Sequence, residues 1–156
     1  MGEAPSQEPR SVKVSGPATG FRTEVEVGGH RLVVDEPIAV GGADHGPTPY
    51  EMLLAGLGAC TAMTLRLYAD KKKWPLARAR ISLIHRKVHA QDCVDCATKP
   101  AKMDVVDRVI TLDGDLTGEQ RAKLLEIAER CPVHQTMQSK IQVNTRLAQA
   151  PRGSKV

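Results

Sequence analysis

The sequence predicts an α+β domain in which mostly antiparallel sheets wrap around central helices. Three features of the 156-residue chain support this prediction: alternating strand patterns near the start, a nearly all-apolar helix after them, and then further strands followed by a second helix. A chain of this length fits one domain. Because Pro, Gly, Ser and charged residues fill both ends, we expect a flexible N-terminus at 1–15, the folded domain at 16–148 and a flexible tail at 149–156.

A β-hairpin is predicted first. In the segment 21–27, Phe, Thr and Val alternate with Arg and Glu, as in a strand with one buried face. Gly28 and Gly29 then supply the residues that a tight turn favours. A second strand is therefore expected at 30–35.

The central helix has the clearest sequence signals. Thr48 is a predicted N-cap, Pro49 takes the first helical position and Glu51 completes a capping box. The helix runs to about Lys71, and its first four turns are nearly all apolar, which is typical of a helix buried on every side. Small residues along it permit close approach of another backbone. We therefore expect a homodimer in which a second subunit covers part of this helix.

The remaining half is predicted to return to strands and then to a helix. Strands are expected at 79–89 and 104–112, and a second capping box at 117–120 opens a helix that carries Cys131 on its apolar stripe. The proline after Cys131 should break or restart that helix. A last strand at 141–146 closes the domain.

Composition excludes two classes of partner. The formal net charge of +4 is spread along the chain, and one Phe, two Tyr and one Trp are too few to build base-stacking platforms, so we expect no nucleic acid. No run approaches the roughly 18 apolar residues of a spanning helix, so we expect no membrane association. The start of the chain lacks the pattern of a secretory signal, which predicts a cytoplasmic protein. Four cysteines in a reducing compartment indicate redox chemistry or metal binding.

Two motifs each contain one cysteine: GPTPYEMLLAGLGACTAM at 46–63 and AERCPVHQTM at 128–137. Together they resemble the paired-cysteine signature of the OsmC/Ohr family. The resemblance covers 21–147 and implies intertwined dimers that reduce organic hydroperoxides with an external thiol or dihydrolipoyl reductant and no bound cofactor. It assigns Cys60 as the peroxidatic cysteine and Cys131 as the resolving cysteine, joined by a disulfide after oxidation. A thiolate breaks the O–O bond, and the second thiol condenses with the resulting sulfenic acid.

The same resemblance implies a cation that activates the thiol. In the family an Arg of the first strands does this, held by a Glu ten residues before the cysteine. Arg22 is our candidate for that Arg and Arg31 is its rival. Tyr50 stands at the Glu position, and Glu51 follows it as the candidate carboxylate, although nine helical residues place it about 13.5 Å from Cys60 and on the opposite side. A capping-box role alone is the simpler interpretation of Glu51 and is favoured over an Arg-orienting role.

Other interpretations of these residues stay open. Each cysteine of the pair can be a small buried apolar residue, and His134 can lower a thiol pKa or be structural. A separate set combines two histidines with a Cys-x-x-Cys, and it suits a zinc site, an accessory dithiol or an unoccupied loop. Its members are His85, His89, Cys93 and Cys96. The alternative functions are therefore an apolar-ligand-binding protein without peroxidase activity and a zinc protein.

Overall fold

The computed structural model describes residues 11–89 and 102–148. Within them the chain forms two antiparallel sheets and three α-helices. In chain order the elements are β1 (Val12–Ser15), β2 (Thr23–Val27), β3 (His30–Val34), a single 3-10 turn (Ile38–Val40), α1 (Pro49–Lys72), β4 (Arg78–His89), β5 (Lys102–Asp113), α2 (Gly118–Ala128) and α3 (Pro132–Gln138).

The first sheet has the strand order β1-β2-β3. The predicted hairpin is confirmed: Thr23 pairs with Val34, and the turn residues Gly28 and Gly29 have φ values of 54° and 83°, a region that favours glycine. Side chains of β2 alternate between half-buried and exposed, as the sequence pattern predicts. Strand β1 is not predicted, because four residues are too short to show an alternation. It lies before the expected domain start at 16.

The second sheet is a long hairpin. Strands β4 and β5 have twelve residues each and pair along their whole length, with Arg78 opposite Asp113 and His89 opposite Lys102. Both predicted strands are confirmed, each with one to two further residues at its ends. This hairpin forms one wall of the domain, and α1 packs across it.

Helix α1 begins as its capping box predicts. The Thr48 hydroxyl accepts the Glu51 N–H at 3.2 Å, and the Glu51 carboxylate accepts the Thr48 N–H at 2.7 Å. The helix ends at Lys72, and the C-cap residue Lys73 has a left-handed φ of 56°. It also has the length, and over 18 residues the mean hydropathy of 1.4, of a membrane span. The expected absence of a run of about 18 apolar residues is a separate criterion, because the hydropathy average also counts Gly, Thr and Cys. The core helix of a soluble protein reaches the same length and mean hydropathy.

The core lies between α1, α2 and the long hairpin. Its buried members are Leu65, Ala69, Leu76, Leu116, Leu124, Ile127 and Ala128. On α1 the buried residues recur every fourth position from Leu57, so one face of the helix is buried. The expected cover of the remaining faces by a second subunit stays a prediction. Leu53, Met63 and Leu67 are 47%, 65% and 72% exposed, because they point away from this core.

A tight loop leads from β3 to α1. The buried carboxylate of Asp35 accepts the backbone N–H groups of Glu36, Ala43 and His45 at 2.8, 3.2 and 3.1 Å. A side chain at Gly46 would collide with a backbone carbonyl of β3, so glycine is required for this close approach. The loop therefore fixes where α1 starts relative to the first sheet.

Two predictions concern the end of the domain. The proline interrupts the last helices as expected: α2 ends at Ala128 and α3 starts at Pro132, so Cys131 lies between two helices rather than on the stripe of one. The predicted strand at 141–146 is wrong, since 140–148 have no regular secondary structure. Apolar alternation is present there, but a strand needs a hydrogen-bonding neighbour, and none of the described strands pairs with this segment.

Candidate functional site

Two cysteine side chains meet beside the core. Cys60 lies in the middle of α1, and Cys131 occupies the bend between α2 and α3. Their thiols lie within hydrogen-bonding reach of each other and both are free. Cys131 is completely buried, whereas Cys60 is partly exposed. The structure thus brings together the two residues to which the sequence analysis gives a redox role, while the roles themselves stay predictions.

The surroundings of Cys131 favour its thiolate. Burial raises the pKa of this thiol, but several hydrogen-bond donors more than offset that effect. The strongest are the Cys60 thiol and the backbone N–H of His134, followed by the Thr61 hydroxyl and the Val133 N–H. The net result is a pKa of Cys131 below its ordinary value. The two N–H groups belong to the first turn of α3, where helical donors have no carbonyl partner within the helix.

The pKa of Cys60 moves in the opposite direction. Burial raises it first, and the neighbouring Cys131 raises it further, while the Val133 N–H and the Thr64 hydroxyl lower it by less. The two pKa values are therefore displaced in opposite directions, and the lower of them belongs to Cys131. This order favours a singly ionised pair in which Cys131 is the thiolate and Cys60 keeps its proton.

A buried guanidinium supports this pair from β5. The side chain of Arg108 is 9% exposed, and it donates to the Thr61 hydroxyl at 3.1 Å and to the Glu129 carboxylate at 2.7 Å. A weaker contact of 3.4 Å reaches the carbonyl of Ala128. The sequence analysis missed Arg108. A signal is present, because strand alternation places it on the same inward face as the apolar residues two positions before and after it.

Glu129 joins this group to the start of α3. Its second carboxylate oxygen lies 3.0 Å from Nε2 of His134, whose side chain is 18% exposed. A cavity of about 440 Å³ opens beside the three side chains. Its lining comprises Leu57, Asp104, Val106, Arg108, Glu129, His134, Met137 and Gln138. One polar network therefore links the wall of this cavity, by way of Arg108, to the hydroxyl that faces Cys131.

Comparison with known proteins identifies the family. The sequence profile of the OsmC-like protein family matches residues 41–146. The chain belongs to this OsmC-like family. The matched region includes both cysteines, Arg108 and the whole of α1, so the site described above lies inside the family domain. No curated protein sequence matches the chain.

Solved OsmC/Ohr structures share the fold. An OsmC-like protein of Mycoplasma pneumoniae is 17% identical, with a TM-score of 0.65 over 92% of this chain and 99% of the other. An organic hydroperoxide resistance protein of Legionella pneumophila is 18% identical, with a TM-score of 0.63 over 85% and 91%. OhrB of Bacillus subtilis is 18% identical, with a TM-score of 0.59 over 85% and 93%. At these identities the likeness establishes the fold, and the predicted α+β, OsmC-like fold is confirmed.

The predicted activating cations lie before the matched region, with Arg22 directly before β2 and Arg31 on β3. Arg22 pairs with Glu24 at 3.2 Å, and Arg31 pairs with Glu26 at 3.2 Å; both guanidinium groups are largely exposed. Glu51 makes the capping-box hydrogen bond described above, as its alternative interpretation predicts. The choice of Arg22 with Glu51 as the activating pair stays a prediction.

Tyr50, at the family's Glu position, anchors the start of α1 to β4. Its ring stacks on His85, with centroids 4.6 Å apart and planes 9° from parallel. His85 Nε2 lies 2.7 Å from Asp104 on β5. Of the predicted zinc set, Cys93 and Cys96 and the side chain of His89 lie outside the described residues. Among the side chains that the structure describes, no cluster of three metal-ligating residues occurs.

Proposed function

We propose that this OsmC-like protein is a cytoplasmic, thiol-dependent peroxidase that reduces organic hydroperoxides to alcohols. The observation that carries the proposal is the contact between the free thiols of Cys60 and Cys131, whose pKa values are displaced in opposite directions. A hydroperoxide needs one thiolate as nucleophile and one further thiol to form a disulfide. The pair provides both without a bound cofactor. Several structural relatives carry the name of organic hydroperoxide resistance proteins, which agrees with this function.

The chemistry balances from the singly ionised pair. Cys60 passes its proton to the Cys131 thiolate and, as the more exposed sulfur, attacks the terminal oxygen of the hydroperoxide. The O–O bond breaks, Cys60 becomes a sulfenic acid, and the alkoxide takes the proton from Cys131 to leave as the alcohol. The Cys131 thiolate then attacks the sulfenic sulfur, forming the disulfide and releasing hydroxide. An external thiol or a dihydrolipoyl group returns the disulfide to two thiols and supplies the two electrons.

Apolar side chains around Cys60 favour an alkyl hydroperoxide over hydrogen peroxide. Leu53, Met63 and Leu67 lie seven before, three after and seven after Cys60, so they share its face of α1. All three are largely exposed in the single chain. They are therefore available to contact the organic group of a substrate, which hydrogen peroxide lacks.

The same surface supports the proposed homodimer. An exposed apolar stripe on a central helix is an unusual surface for a monomer. The first sheet adds Val12 and Val14, which are 59% and 61% exposed. Burial of both regions by a second copy would remove this apolar area from water and enclose Cys60. Within such a dimer, Arg22 with Glu51 is the pair that we propose for activating Cys60.

Thiol counting tests the proposal directly. One equivalent of cumene hydroperoxide should remove two titratable thiols from the reduced protein, and peptide mapping should join Cys60 to Cys131. The Cys60→Ser variant should lose turnover while keeping the fold, since Ser is close in size but forms no sulfenic acid. The Cys131→Ser variant should react once and stop as a sulfenic acid that dimedone traps.

Three outcomes contradict parts of this scheme. Retained thiols after hydroperoxide would refute peroxidase activity and leave binding of an apolar ligand as the function. Either stoichiometric zinc in the purified protein or a disulfide confined to Cys93 and Cys96 would move the chemistry to that loop. Slower peroxide reaction in Arg31→Ala but not in Arg22→Ala would show that the activating residue was chosen wrongly.

A further inference from the structure

Arg108 is a buried cation that the proposed mechanism does not yet use. Its guanidinium comes from the middle of β5 and reaches the Thr61 hydroxyl on α1 at 3.1 Å. Thr61 is completely buried and follows Cys60 in the chain, and its hydroxyl also faces the sulfur of Cys131. A single hydroxyl group thus separates the guanidinium from that sulfur.

The other contacts of Arg108 fix its position. The Glu129 carboxylate holds one amino group of the guanidinium at 2.7 Å, and His134 holds the far side of that carboxylate at 3.0 Å. Glu129 is itself 59% exposed, so water screens its negative charge, whereas Arg108 is 9% exposed and points inward. Arg108 is therefore the less screened of the two charges, because it lies in the interior beside Thr61.

We infer that Arg108 is a positioning residue which, through the Thr61 hydroxyl, stabilises the thiolate of Cys131. The inference rests on the proposed function, in which Cys131 must become a nucleophile toward the Cys60 sulfenic acid. Among the residues that the structure describes, the charged and titratable groups linked to that sulfur or to Thr61 are Cys60 on α1, Arg108 on β5, Glu129 after α2 and His134 on α3. Arg108 is the fixed cation among them.

Thr61 transmits the effect by hydrogen bonding. Its oxygen accepts from Arg108, and the hydroxyl donates its own proton to the Leu57 carbonyl with an O···O distance of 2.8 Å. Rotation of the hydroxyl about the Cβ–Oγ bond of Thr61 directs this proton toward the Cys131 sulfur instead. A hydroxyl that accepts from a cation is a stronger donor, because hydrogen bonds in a chain polarise one another.

An NMR titration measures this role in the reduced full-length protein. Selective ¹³Cβ labelling of cysteine reports the ionisation of each thiol separately and needs no access of reagent to the buried sulfur. Arg108→Met should raise the midpoint of Cys131 by about one pH unit, as expected when a nearby cation is removed. Arg108→Lys, which keeps the charge, should restore part of the shift.

Substitutions of Thr61 separate the hydroxyl from its volume. Thr61→Val keeps the shape and should raise the Cys131 midpoint, whereas Thr61→Ser keeps the hydroxyl and should stay close to wild type. Arg121→Met is the matched control, since Arg121 donates to the carbonyls of Leu112 and Gly114, away from the sulfurs. It should leave the Cys131 midpoint unchanged even where stability falls.

Each result decides for or against the inference. An unchanged Cys131 midpoint in both Arg108→Met and Thr61→Val would overturn it, as would equal shifts in Thr61→Ser and Thr61→Val. A shift in Arg121→Met as large as in Arg108→Met would show that loosened packing, not charge, is the cause. The titration does not depend on turnover. The Cys131 midpoints can therefore be measured and compared even if the protein proves to have no peroxidase activity.

Discussion

Two leucines on α1 allow the contributions of the core and of the proposed dimer surface to stability to be measured separately, because each can be replaced by alanine. Leu65 is fully buried against the core, whereas Leu67, half a turn away, is 72% exposed in the single chain. Leu65→Ala removes buried methyl groups and leaves a cavity, which costs about 3 kcal/mol. For a domain of this size that loss lowers the Tm by roughly 6 to 12 °C. In an isolated chain Leu67→Ala should cost less than about 0.5 kcal/mol.

Urea denaturation at two protein concentrations a hundredfold apart tests both expectations. The proposed homodimer makes stability depend on concentration, by roughly 2.7 kcal/mol between the two conditions. Leu67→Ala should then reduce stability well beyond its single-chain value and weaken self-association in sedimentation. A Leu65→Ala variant as stable as wild type would refute the assigned core. A neutral Leu67→Ala variant, with stability independent of concentration, would refute a dimer formed through this face.

Three further changes have expected outcomes. The thiolate absorbance of the wild type at 240 nm, after subtraction of that of Cys60→Ser/Cys131→Ser, should rise in two steps as pH increases. The first step should fall below the ordinary thiol range, because the pKa of Cys131 is lowered, and the second above it, because the pKa of Cys60 is raised. Two coincident steps would contradict the shared proton. Burial opposes the ionisation of Asp35, but the backbone N–H groups of His45, Glu36 and Ala43 lower its pKa overall. The ionised carboxylate therefore stabilises the fold above its unfolded pKa, and this stabilisation is lost as pH falls through the folded pKa. Stabilities of the wild type and Asp35→Asn should converge at low pH in acid unfolding, and curves that stay parallel would argue against this. Gly114 has a φ of 130° and packs against a backbone carbonyl, so Gly114→Ala should lower the Tm in calorimetry, whereas Gly56→Ala, with open space around it, should not.

Local signals were the most predictable part of the fold. The capping boxes at Thr48 and Thr117 are decided within four residues, and both form as the sequence predicts. The restart at Pro132 is equally local, because proline lacks the N–H of a helix interior. The strand expected at 141–146 does not form, for the opposite reason. Alternation shows only which side chains would share one face of a strand, whereas pairing depends on which other strand lies alongside.

The candidate site was less predictable. The meeting of Cys60 and Cys131 was expected from family resemblance, since no spacing rule joins residues so far apart in the chain. Arg108 was missed because its partners come from α1 and from the end of α2. A charged residue in an alternating strand is usually solvated, and only the packing of α1 and α2 over β5 makes this one buried. Long-range packing therefore decides the electrostatics around the sulfurs.

The two sulfurs are attached to backbones of very different freedom. Cys60 sits within a continuous 24-residue helix, where any displacement of its Cα would disturb hydrogen bonds on both sides. Cys131 has a non-helical conformation, with φ −57° and ψ 127°, at a joint between two short helices. The movements that accompany opening and closing of an S–S bond would thus fall on the Cys131 side of the pair. Repeated oxidation and reduction would therefore change the backbone at the joint between α2 and α3 and leave α1 undisturbed.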